Sequence, residues 1–171
     1  MSDPGAGGSG VRARQSEVPP RILLNSKEFD LQHPSGLRIH RGLSEVDTEN
    51  TPGVSRSDMQ TGYVWYRLPT SLMGSQRVAM SLCFFKRQFD SISLAVSEER
   101  FGLSWNDWSE SKERDRTEAT RLWLEEIGYP VGEYSWGRIW AEFDAKGGSG
   151  GGGVRFNIAG VPNSRKRRRR K

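Results

Sequence analysis

The side chains able to do chemistry in this sequence are few, and they stand apart. His33 and His40 are its two histidines and Cys83 its one cysteine. A zinc ion takes about four nitrogen, sulfur or carboxylate ligands, and nothing in the spacing gathers such a set, so no metal site is expected. Asn106-Asp107 with Glu110 offers oxygens, but a calcium loop supplies roughly six to eight of them at fixed positions. Capping of a helix is the better use for this turn. A serine hydrolase, which needs its serine on a strand-to-helix elbow, has no specific support. The glycine run from Gly147 to Gly153 could suggest a phosphate cradle, yet the Gly-Lys-Ser/Thr that would complete one, and the helix after it, are missing. With no nucleophile–base pair and no cofactor motif, an enzyme is not expected, nor a cofactor.

What remains is binding chemistry, of two kinds. Arg165, Lys166, Arg167, Arg168, Arg169, Arg170 and Lys171 form an unbroken basic run at the end of the chain. Such a run attracts polyanions through their backbones, with strong salt dependence and no sequence preference. A nuclear-import signal or a plain solubilising terminus are its other readings. Without these seven residues, 19 basic side chains face 21 acidic ones, so the net charge of +5 belongs to the tail. The second kind is aromatic. Five of the six tryptophans, Trp105, Trp108, Trp123, Trp136 and Trp140, fall between Phe101 and Gly148. Tryptophan dominates interface hot spots, and it also contributes the most area to a core. Trp123 reads as core. Trp136 and Trp140 alternate with Arg138 and Glu142, so this strand face, Trp136, Arg138, Trp140 and Glu142, is expected to be half exposed or at an interface. It is the candidate protein-binding surface. Cys83, beside Phe84, reads as a buried thiol.

The elements that must position these residues follow from periodicity. Arg116, Ala119, Leu122, Trp123 and Ile127 recur at steps of three and four, one stripe of a helix over about 108–127. Asp107-Trp108-Ser109-Glu110 has the form of a capping box, with Ser109 as the alternative cap. Glu110 and Arg114 are spaced for a weak ion pair. Gly128 and Pro130 end the helix. Lys112, Glu113, Asp115, Glu125 and Glu126 are expected on its solvated face.

Strands are marked by alternation. Val78, Met80, Leu82 and Phe84 share one face, and Ile92, Leu94 and Val96 another, with residues 86–90 as the turn between them. Tyr63–Leu68 is a further strand. Tyr134–Phe143 and Val154–Ile158 read as a closing pair, joined by the glycine run as a flexible loop. Two short strands around Lys27–Leu31 and Gly36–His40 flank a turn. Residues 44–61 read as a long loop. The expected fold is therefore α+β: an antiparallel sheet of about five to seven strands with one main helix on one face. Residues 1–19 read as a disordered arm, 20–161 as a single domain and 162–171 as a disordered basic tail. No run of 18 apolar residues and no apolar leader segment is present, and a lone cysteine asks for no oxidising compartment. A cytoplasmic protein without a membrane partner is expected.

Phe101-Gly102-x-Ser104-Trp105-Asn106-Asp107-Trp108-Ser109-Glu110, then Trp123-Leu124, Gly128, Tyr134-x-Trp136-Gly137 and Asp144-x-Lys146-Gly147-Gly148, resembles a pattern in small bacterial proteins of proteobacterial type that have no assigned activity. The resemblance covers residues 101–158 and, more loosely, 63–97. It implies a small bacterial cytoplasmic α+β domain and carries over no catalytic residue. The longer glycine run and the arginine-rich tail depart from the pattern. The function expected from all of this is a non-enzymatic protein-binding module, immunity- or adaptor-like. The alternative is a protein that associates with RNA or DNA through its C-terminal tail.

Overall fold

The computed structural model describes residues 27–157. The expected arm 1–19, the tail 162–171 and the end of the last strand at Ile158 lie outside them. The architecture is α+β, as the alternating patterns require.

Its centre is the hairpin of β6 (Gln76–Phe85) and β7 (Gln88–Val96). Val78, Met80, Leu82, Ile92, Leu94 and Val96 are all buried. The turn is shorter than the expected 86–90: only Lys86 and Arg87 lie outside the strands, with φ of +48° and +69°. Two positive φ angles match the right-handed twist of the flanking strands. A register shift at Cys83/Phe84 then brings Phe84 opposite Phe89 and leaves Asp90 as the extra residue.

The sheet grows outward on both sides of this hairpin. Its order is β3 (Ser55–Asp58), β4 (Tyr63–Arg67), β6, β7, β10 (Ser149–Phe156), β9 (Gly137–Asp144) and β8 (Gly132–Tyr134), with β5 (Ser71–Met73) also paired to β6. Every pairing is antiparallel. Residues opposite one another in register point to the same face. Ile139, Val154, Ile92, Leu82 and Tyr66 thus form one row across five strands, and each is at most 2% exposed.

That face is covered by the helix α2 (Glu110–Glu126) and by a small separate hairpin of β1 (Asp30–Gln32) and β2 (Arg38–His40). Trp123 and Leu124 are buried from α2, and Phe29, Ile39 and Tyr129 from the other cover. The cap of α2 is Ser109, whose Oγ accepts the Lys112 N–H at 3.2 Å; the Asp107 box does not form, because Trp105–Asp107 is wound into a separate 3-10 turn. At the other end Gly128, at φ +87°, donates to the Glu125 carbonyl and Tyr129 to that of Leu124, a Schellman stop.

Four further expectations are corrected. Residues 44–61 are not one loop: Ser44 caps the short helix α1 (Glu45–Glu49), and β3 follows. Glu113 is not on the solvated face but buried at 6% exposure, while Leu122, placed on the core stripe, is 50% exposed. The glycine run is not a flexible loop, since Gly150–Gly153 lie within β10, between β7 and β9. The reason is closeness. A Cβ on Gly150 would stand 1.9 Å from the Glu113 carbonyl oxygen, and one on Gly152 3.3 Å from Thr120 Cγ2. Only glycine lets α2 lie directly on this strand. Glu113 seals the contact by accepting the Gly150 N–H at 2.8 Å.

Candidate functional site

The opposite face of the sheet is covered by none of the helices among the described residues, and three of the four candidate binding residues are on it. Two adjacent rows cross five strands there. One runs Trp140, Gly153, Ser93, Ser81, Arg67; the next runs Arg138, Arg155, Ser91, Cys83, Trp65. Glu142 lies beyond Trp140, opposite Gly151. The Trp140 indole lies across β10, where a Cβ on Gly153 would meet ring atoms at 2.2 and 2.4 Å. One side of the ring is thus seated on backbone. The Arg138 guanidinium stands 5.5 Å from its centroid and reaches Glu142 at 3.8 Å, a loose pair. Arg155 meets Asp90 at 3.4 Å. Burial, helped by the Asp90 charge, pushes the Cys83 thiol up to about 11, so it stays protonated and inert at neutral pH.

Trp136 does not join this face. It is 1% exposed, stacked on Tyr134 at 4.8 Å and donating its indole N–H to the Lys27 carbonyl at 2.7 Å. The alternation expected from Tyr134 onward is broken by the β8–β9 turn, which holds Ser135 and Trp136, so Trp136 belongs to the core.

A second aromatic surface lies where α2 begins. Trp105 is 80% exposed and Trp108 44%. With Glu110, Phe143, Lys146, Gly147 and Gly148 they line a groove of about 360 Å³. Its walls are tied down by local bonds. The Trp108 indole N–H donates to the Gly148 carbonyl at 2.6 Å, and Lys112 Nζ donates to the Asp107 carbonyl at 2.9 Å. Arg116 holds the preceding segment through the carbonyls of Phe101 and Gly102. The Arg114 guanidinium lies 4.5 Å from the Phe143 ring centroid. The sequence marks these tryptophans as aromatic but does not say that two of them stay outside. That follows from the 3-10 turn, which swings Trp105 off the helix axis.

The remaining polar clusters are structural. The Tyr66 hydroxyl lies 2.8 Å from both Glu45 and Glu49 and accepts from Arg56 Nε at 3.2 Å. Burial, followed by the two carboxylates, raises its pKa well above the ordinary value. No local pattern marks this network, because its members come from α1, β3 and β4. His33 is 1% exposed; its Nδ1 takes the Ser35 N–H at 3.1 Å and sits 2.7 Å from the Ser35 hydroxyl. Among the described residues no group of three or more His, Cys, Asp or Glu side chains could hold a metal ion. The basic run Arg165–Lys171 lies outside the described residues. Comparison with protein-family models, with curated proteins and with solved structures finds no match to this chain.

Proposed function

We propose that this chain is a protein-binding module without catalytic activity of its own, immunity- or adaptor-like, working in the cytoplasm of a bacterium. The observation that carries the reading is the exposure of Trp105 and Trp108 on a groove whose walls are fixed by hydrogen bonds. Large indoles left in water cost solvation, and a rigid, pre-formed aromatic surface loses little entropy when a partner covers it. Arg138, Trp140 and Glu142 add a second aromatic and charged patch on the other side of the sheet. The bacterial setting rests on the pattern resemblance of residues 101–158 alone.

The test is retrieval of the partner from native cells with three proteins: the full chain, its W105A/W108A variant, and a chain ending at Asn163. A partner protein kept by the truncated chain and lost by the tryptophan variant supports the module. RNA or DNA retrieved by the full chain and lost on truncation supports the alternative, association through the basic tail. A partner protein that the W105A/W108A variant binds as well as the full chain refutes the groove.

A further inference from the structure

The sheet face that no helix among the described residues covers is a different surface from the groove, and its register has a property of its own. At its corners stand Trp140 and Arg138 on β9, and Arg67 and Trp65 on β4, four strands apart. Along each strand a tryptophan is two residues from an arginine; across the sheet each tryptophan shares its row with an arginine. Between them stand Gly153, Ser93 and Ser81 in one row, and in the next Arg155 beside Ser91 and Cys83, the last two already buried.

We infer that this face is the interface of a symmetric dimer, with a second copy of the same chain as its occupant. A two-fold axis between two such faces, running along the central strand, sets Trp140 of one copy over Arg67 of the other and Trp65 over Arg138. With the axis across the strands, Trp140 meets Arg138 and Trp65 meets Arg67. Either way every corner indole meets a guanidinium, the stacked contact that both groups favour. Self-complementarity of this kind is what an isologous interface requires. Sheets packed face to face stand about 10 Å apart with strand directions within about 30°. That gap suits an indole from one side and a guanidinium from the other, with Ser81 and Ser93 small between the corners and Arg155 beside them.

Size and charge agree. Five strands about 4.8 Å apart and eight residues long at about 3.3 Å each give a face of the order of 600 Å² before side-chain relief is counted. A standard interface buries about 800 Å² per partner. The face carries Arg67, Arg77, Arg138 and Arg155 against Asp90, Glu133, Glu142 and Asp144, so its charges balance. It therefore offers little to a polyanion and much to a copy of itself. The Trp105/Trp108 groove lies at the entrance to α2, on the other side of the sheet. Two copies joined by their open faces would carry two grooves facing outward.

The experiment is sedimentation velocity on the full chain from about 1 to 100 μM, with R67E and R138E as variants. Both arginines are exposed, so neither change should alter folding, and each sets a carboxylate against an indole face. The expected result is a dimer that R67E or R138E weakens at least tenfold, and that W65A weakens likewise. A wild-type chain that stays monomeric throughout, or a dimer indifferent to all three changes, overturns the inference. A monomer whose tryptophan fluorescence is quenched by oligo(U), with the quenching lost in R67E, would overturn it too and give the face to single-stranded nucleic acid. None of these outcomes bears on the groove, because W105A/W108A is expected to remain as dimeric as the wild type.

Discussion

Replacing Gly150 by alanine adds one methyl group at the place where helix and sheet are closest. Built on the observed backbone, that methyl would stand 1.9 Å from the Glu113 carbonyl oxygen and 2.5 Å from the Thr117 hydroxyl. Carbon and its neighbours settle at about 3.5 Å, so α2 must withdraw by about 1.5 Å at this turn. Two losses follow. Overpacking against a backbone that cannot swing aside costs about 1–3 kcal/mol. The 2.8 Å bond from the Gly150 N–H to the buried Glu113 carboxylate is stretched, and a hydrogen bond to a charged group contributes about 1.5–3 kcal/mol. Against them stands the lower entropy of an unfolded chain with alanine, about 0.4–1 kcal/mol. The net is a destabilisation of about 2–5 kcal/mol. With a urea slope of about 1–3 kcal/mol per molar, the denaturation midpoint should fall by about 1 M or more. Gly42→Ala is the control, since its methyl would meet only the His40 ring at 3.4 Å; its midpoint should stay within about 0.5 kcal/mol of the wild type. A Gly150→Ala midpoint at or above the wild-type value would refute the close contact and restore the glycine run to a loop.

The other expectations are briefer. Trp123→Ala should cost about 3–5 kcal/mol, because the side chain is 1% exposed and its N–H is bonded to the Met73 carbonyl at 2.8 Å; an unchanged denaturation midpoint would show the helix face to be misplaced. His33 is held neutral by burial, which lowers its pKa below the ordinary 6.5. Its contribution to stability is therefore complete above pH 6.5. It is lost as the pH falls from there toward the lowered folded value, where the unfolded chain takes up a proton and the folded one does not, at up to about 1.4 kcal/mol per pH unit. In His33→Gln the slope of midpoint against pH over this window should flatten, and an unchanged slope would rule His33 out as its source. Affinity of the full chain for generic RNA or DNA should fall with salt at roughly 0.7–0.9 logarithmic units per phosphate neutralised. It should vanish in a chain ending at Asn163; anisotropy titrations on both chains decide, and equal binding would move the site onto the folded body.

The parts of the fold that were legible in the sequence are those where one local pattern decides the outcome. Val78, Met80 and Leu82 alternate because β6 has a wet and a dry face, and no other structure buries that pattern so well. Gly128 followed by Pro130 can only end a helix. Residues 44–61 hide their structure for the opposite reason. α1 is five residues long, too short to show a period, and β3 is Ser-Arg-Ser-Asp, exposed throughout. It is a strand because β4 offers it a ladder, not because of its own residues. Glu113 shows a second limit. A carboxylate on a helix otherwise lined with charges reads as solvated, and what buries it is an N–H of a strand 37 residues further on.

The same limit explains why the candidate surfaces were only half visible. Composition says that Trp136 and Trp140 sit in one alternating run, yet the β8–β9 turn between Tyr134 and Gly137 moves Trp136 into the core and leaves Trp140 outside. The pairing of Trp140 with Arg67, and of Arg138 with Trp65, lies wholly in the register. Arg67 and Trp140 are 73 positions apart and reach one row only because β10, whose glycines read as a loop and whose residues 154–156 read as a strand, is inserted between β7 and β9. Had the glycines formed a loop, only residues 154–156 would have joined β9 to β7, and Trp140 would have had no Gly153 to carry it into the row of Ser93. The residues that forbid side chains on β10 thus do two things at once. They let α2 lie against one side of the sheet, and they carry Trp140 and Arg138 into register with Trp65 and Arg67 on the other.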